Sequence, residues 1–268
     1  MSEAPPDTCH RLGHDAYLDA TAAEIALMAE VIAKGDPAAT VVTCPEWTLA
    51  KLVRHVARVH RWCAALVRTK STERLDPRSL PIEAPADTAD YPAWLSAGTA
   101  ELEDALREVD PDTPVWAWGP DQHARFWPRR ILHETLIHRV DAELTVGAPV
   151  AVDSRLAVDT IDEFFSNLAA PRFESRMAEL RGGGEALALA ATDVDVHWRI
   201  EIGPDGFGVR HAADDDEPAV STLSGSAGEL ALVVYRRRPL GGPGEEAHGC
   251  TLTGDRSLWG RWLSVLSL

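Results

Sequence analysis

Residues 48–69, TLAKLVRHVARVHRWCAALVRT, set Leu49, Leu52, Val53, Val56, Val59, Cys63, Leu66 and Val67 at spacings of three and four. That is the period of a helix with one apolar face, and Thr48 stands where a side-chain cap belongs. His55 falls at the edge of the face and His60 nearer its centre, so periodicity alone turns His60 inward. Working outward, Leu18, Ala22, Ile25, Met28 and Ile32 repeat the pattern over residues 15–34, closed by Gly35 and Pro37. Leu95, Leu102 and Leu106 do so over 91–109, after a Pro- and Asp-rich loop at 76–90. A fourth helix is predicted over 127–146, with Pro128 tolerated in its first turn and Gly147 and Pro149 ending it. Four helices of this length predict a four-helix bundle over 13–150, behind a tail at 1–12.

The texture then changes. A fifth helix is expected over 153–168, and the stretch 151–182 reads as a linking helix and connection, with Gly182-Gly183-Gly184 flexible at its junction with the next domain. No Lys-Ser/Thr follows those glycines, which argues against a phosphate loop. Alternating residues predict strands over 186–191, 194–202 and 207–211, with Gly203-Pro204-Asp205-Gly206 as a hairpin turn. Asp214-Asp215-Asp216-Glu217 reads as a solvated hairpin tip. A short helix over 226–236, a strand over 250–253 and a last helix capped by Asp255 complete a small α+β domain at 183–268.

The chain of 268 residues carries 42 Asp and Glu against 26 Lys and Arg, a formal charge of −16. Such a field repels phosphate backbones and anionic lipid, so neither nucleic acid nor membrane is an expected partner. The N-terminus lacks the basic and apolar runs of a signal peptide, and a cytoplasmic protein is expected. Cys9, Cys44, Cys63 and Cys250 form no C-x-x-C pair and read as free thiols. A Cys63 nucleophile paired with His60 is the weaker alternative to simple packing.

His133-Glu134-Thr135-Leu136-Ile137-His138 invites comparison with the zinc-protease H-E-x-x-H signature, in which the histidines are four apart. Here they are five apart and point about 140° away from each other at 100° per residue. Glu134 and His138 share a face, with Asp141 beside them. That pair can supply two ligands to a divalent ion, or it can be an ordinary surface pair. Asp141 could support a ligand imidazole or pair with Arg139 or Arg129 at the surface.

The run from Thr43 to Trp62, with Cys44-Pro45-Glu46-Trp47 before the helix and His55 and His60 within it, resembles the mycothiol-dependent maleylpyruvate isomerase family. Phe126 to Glu143 is similar to the family's fourth-helix motif, preceded by the Pro-Val-Trp-x-Trp-Gly-Pro loop at 114–120. The resemblance implies a DinB-like metal-binding four-helix bundle followed by a sterol-carrier-like α+β domain. It places the metal ligands on His55, Glu134 and His138, choosing His55 over His60. It further implies zinc or a similar divalent ion, mycothiol as thiol cofactor or co-substrate, and a small electrophile as substrate. In the implied reaction a thiolate adds to an electron-poor double bond, the single bond rotates and the thiol leaves; without that departure the reaction is an S-transfer.

Arg237 matches the family's arginine after a C-terminal-domain helix and is assigned to clamp a substrate carboxylate, in place of a surface cluster with Arg236 and Arg238. Arg236 stands where the family has Gly, so the register could shift by one. Glu46 and Val140 also depart from the family, which bears on substrate identity. A non-catalytic carrier or sensor and a zinc-water hydrolase are the competing readings, and a monomer or homodimer is expected.

Overall fold

The computed structural model describes residues 11–168, 174–213, 216–242 and 244–266. Cys9, most of the tail at 1–12, and Asp214 and Asp215 of the acidic run lie outside them. The chain divides into two compact units, Leu12–Val150 and, apart from the N-terminal residues, Ala151–Leu268.

The first unit is helical. Four long helices, α1 (His14–Ile32), α2 (Leu49–Arg68), α3 (Tyr91–Glu108) and α4 (Phe126–Val146), pack as the pairs α2 with α3, α1 with α4, α1 with α3, and α2 with α4. The Thr48 hydroxyl accepts from the Lys51 amide and fixes the start of α2. Gly147, at φ 71°, ends α4 in the left-handed conformation that glycine adopts without strain. At one end of the unit, Trp62 packs edge to face with Trp116 and Trp127, which are tilted 32° to each other, each pair within 6.3 Å between centroids. Their polar edges are not wasted: Trp62 donates to Leu75 O at 3.0 Å and Trp127 to Trp116 O at 3.1 Å.

α4 differs from its neighbours in being enclosed on nearly every side, with Arg130, His133, Arg139, Asp141 and Glu143 buried beside Leu132, Leu136 and Val140. The single apolar stripe read from the sequence is therefore too narrow a description. Buried polar groups need partners. Arg139 donates to Glu24 of α1 at 2.7 Å and to Glu143 at 2.6 Å, tying the two helices together. His133 is fully buried and lies edge-on to Tyr17. His60 is also fully buried, between Thr99 Oγ1 at 3.1 Å and Thr135 Oγ1 at 2.9 Å. Thr135 gives its proton to Ile131 O at 2.7 Å, so it accepts from His60 Nε2; Thr99, whose own carbonyl contact is longer at 3.2 Å, donates to Nδ1. One donor and one acceptor suit a neutral imidazole.

The second unit joins helices to a mixed six-stranded sheet of order β3-β2-β1-β4-β6-β5. Its strands are β1 (Glu185–Ala191), β2 (His197–Gly203), β3 (Gly206–His211), β4 (Ser221–Gly225), β5 (Glu246–Ala247) and β6 (Cys250–Gly254), and only β1 and β4 run parallel. The helices are α5 (Ser154–Leu168), α6 (Glu174–Met177), α7 (Ala227–Val234) and α8 (Arg256–Val265). α5, read from the sequence as part of a linking stretch, packs against α7. Gly182 and Gly184, expected in a flexible connection, instead donate to Gly203 O and Ile202 O beside β2. β4 was not foreseen, because Ser221, Leu223 and Gly225 carry its buried face and two of the three are small. Ser221 is held by donating to Thr253 O and accepting from Trp259 Nε1.

Arg236 follows α7 at φ 61°, a conformation that disfavours a Cβ-bearing residue.

Arg236→Gly is expected to stabilise the protein by about 1 kcal/mol, read as a rise of about 2–4 °C in Tm. A second expectation concerns His60, whose pKa burial lowers to about 3. Below its ordinary value of 6.5 the unfolded chain takes up a proton that the folded chain refuses, so stability falls as pH drops from 6.5 toward 3. Denaturant titrations between pH 7 and 5 should show this slope, approaching ~1.4 kcal/mol per pH unit, in the parent protein and not in His60→Gln; parallel slopes would refute the assignment.

Candidate metal centre

His55 projects from α2, and Glu134 and His138 from successive turns of α4. The three side chains converge: Glu134 Oε1 accepts from His55 Nε2 at 3.1 Å and from His138 Nε2 at 3.2 Å. The imidazole centroids are 4.8 Å apart. Among the described residues this is the one group of three or more His, Cys, Asp or Glu side chains with donor atoms clustered closely enough for a metal, all within 4.8 Å of one another. All three are half-buried, which leaves the cluster open on one side.

Each member is fixed from behind. His138 Nδ1 donates to Asp141 Oδ2 at 2.9 Å, and Asp141 Oδ1 accepts from the Thr43 hydroxyl at 2.6 Å. Asp141 is 1% exposed, so the alternative of a surface ion pair with Arg139 or Arg129 does not describe it. Arg130 Nη2 donates to Glu134 Oε2 at 2.9 Å. The Trp47 ring lies 4.8 Å from His55 and 6.2 Å from His138, nearly parallel to the latter, and Lys51 stands over it.

The charges agree with this geometry. Burial opposes ionisation of Glu134, but hydrogen bonds from His138 and His55 and the charges of His138 and Arg130 outweigh it and hold the carboxyl well below its usual range. Burial likewise opposes protonation of His138, yet Asp141 and Glu134 raise its pKa. The cluster thus contains an ionised carboxylate facing a cationic imidazole.

The donor set suits a small divalent ion. Ligands ~2.0–2.1 Å from zinc at tetrahedral corners are about 3.3 Å apart; the two separations from Glu134 Oε1, 3.1 and 3.2 Å, are close to that, and the three ligand atoms together lie within 4.8 Å. Two borderline imidazole nitrogens and one hard carboxylate oxygen form a set that zinc accepts. With Nδ1 of His138 committed to Asp141, Nε2 is the nitrogen turned toward Glu134.

The remaining sequence candidates lie elsewhere. His60 packs inward and His133 points away from the cluster. Cys63 is fully buried and burial pushes its thiol well above the usual range, the opposite of an activated nucleophile. Arg237 lies in the second unit, half-buried, and donates from Nη1 to Tyr235 O at 2.8 Å. Sequence reasoning gave no role to Thr43, Trp47 or Arg130. Arg130 could have been found from its place four residues before Glu134, a helical pairing distance; Thr43 is 98 residues from Asp141, and no local signal joins them.

Residues 18–143 match the family described as the mycothiol maleylpyruvate isomerase N-terminal domain. The fold is similar to that of a solved mycothiol-dependent maleylpyruvate isomerase and of a histidine-to-alanine mutant of it. Each match has 17% identity and a TM-score of 0.52, and covers 92% of this chain and 95% of the other. No curated protein matches the chain.

Proposed function

We propose, from the match of residues 18–143 to the mycothiol maleylpyruvate isomerase N-terminal domain family, that this chain is a mycothiol-dependent enzyme whose His55, Glu134 and His138 hold a divalent metal ion, zinc by the chemistry of the donors. It acts on a small electrophile, by cis–trans isomerisation of the maleylpyruvate type or by S-transfer. On this reading the helical unit is a DinB-like four-helix bundle and the second unit a sterol-carrier-like domain. The observation that carries the proposal is the meeting of two Nε2 atoms and one Oε1 at the open side of α2 and α4.

An ion held by these three groups would supply the charge that keeps a thiol ionised at neutral pH, at a position left for an outside ligand. The chain's own residues prepare that position. Asp141 holds His138 by Nδ1 and so keeps Nε2 in place, Thr43 holds Asp141, and the Trp47 ring lies against both imidazoles. No strong general base is required of the protein on this reading. Arg237 is assigned to a carboxylate of the substrate, which its planar fork suits.

The purified protein is expected to carry one equivalent of divalent metal by elemental analysis and to consume mycothiol with cis-enoyl acids or alkylating electrophiles. His55→Ala and His138→Ala should lose both properties while remaining folded. A protein without metal and without thiol-dependent turnover would overturn the proposal. A ligand-induced thermal shift that persists in both alanine variants would point to a carrier instead. Asp141→Asn removes the negative charge behind His138, and its metal affinity should fall about 10–100-fold, measured by chelator competition.

A further inference from the structure

Glu134 presents one oxygen to the imidazoles and gives the other to Arg130. The contact differs from an ordinary surface pair four residues apart on a helix, which is solvated and exchanges partners. The Arg130 side chain is only 7% exposed against 26% for Glu134, so the guanidinium is the enclosed partner and the carboxylate reaches back to it. The face of Trp118 lies 5.2 Å from the guanidinium carbon, within cation–π range. Trp118 is itself backed edge-on by Phe126 at 5.7 Å. Its loop is pinned by Gln122, whose Nε2 donates to Ala117 O and Gly119 O at 2.6 Å each and whose Oε1 accepts from the Ala117 amide at 3.0 Å. The support thus runs from Gln122 through Trp118 to Arg130 and ends on Glu134 Oε2.

We propose that Arg130 is a positioning residue for the metal centre: by holding Oε2 of Glu134 it restricts the carboxylate to binding an ion through Oε1 alone, and Trp118 keeps it there. The inference rests on the metal-binding reading above. A carboxylate that cannot turn its second oxygen inward favours small ions of low coordination number. Larger ions, which take more oxygens and accept both from one carboxylate, are disfavoured. Arg130 in this way sets which ions the site prefers, a role distinct from that of a ligand. A lysine supplies a point charge without the planar fork and is an incomplete substitute.

The test compares Zn²⁺ with Cd²⁺, two ions of the same closed-shell type and different size, by chelator competition on the full chain. Removing Arg130 changes the affinity for every ion, so the ratio is the quantity that reports geometry. Arg130→Met is expected to move the Cd²⁺ to Zn²⁺ affinity ratio about tenfold toward Cd²⁺, the scale on which residues behind metal ligands act, with Arg130→Lys in between. A ratio unchanged in Arg130→Met would overturn the positioning role while leaving the metal centre intact. Should Arg130→Met fail to fold, Trp118→Ala decides: a smaller shift in the same direction supports the role, and an unmoved ratio rejects it. Absence of metal from the parent protein would remove both this inference and the reading beneath it.

Discussion

A helix enclosed on nearly all sides must still satisfy every polar group it carries, and that constraint on α4 organises the first unit. An unpaired buried charge is expensive, so each one on α4 is tied to a neighbour. On one side Arg139 stands between Glu24 and Glu143, locking α1 to α4. On another, Glu134 gathers Arg130, His138 and His55, locking α2 to α4. The same requirement that fixes the helix in place thereby builds the candidate site.

The two networks differ in what they leave open. Arg139 and its two carboxylates are almost wholly buried and engaged with one another. Around Glu134 the groups are half-buried, and one carboxylate oxygen is shared by two imidazoles. Sharing of this kind gathers groups that a cation can bind in place of protons, because each imidazole Nε2, once its proton is displaced, and the carboxylate oxygen turn a lone pair to the same small volume. Asp141, Arg130 and Trp47 then restrict each donor to one orientation, so little reorganisation accompanies binding. That preorganisation is the physical support for reading the cluster as a metal centre.

The helices were legible because apolar spacing and end signals are local. Thr48 caps α2, Gly147 ends α4 and Asp255 caps α8 as their positions suggest. The hairpin at Gly203–Gly206 was equally plain from its turn residues. β4 escaped notice because its buried positions hold Ser221 and Gly225, whose place in the sheet depends on strands far away in sequence. Gly182 and Gly184 misled for a related reason: glycine suggests freedom, whereas these two lie hydrogen-bonded against β2, and a Cβ on Gly182 would meet Ile202.

By itself the sequence determined which residues share a helix face, that Glu134 and His138 stand together one turn apart, and that His60 turns inward. Resemblance to a family singled out His55, but periodicity could not, since the pitch of one helix says nothing about how a second is rotated against it. Tertiary packing decided that rotation, and with it the meeting of His55 with Glu134, the burial of Asp141 against Thr43, and the hold of Arg130 under Trp118. The reason is that donor convergence depends on the distance and turn between α2 and α4, quantities set by what fills the space between them.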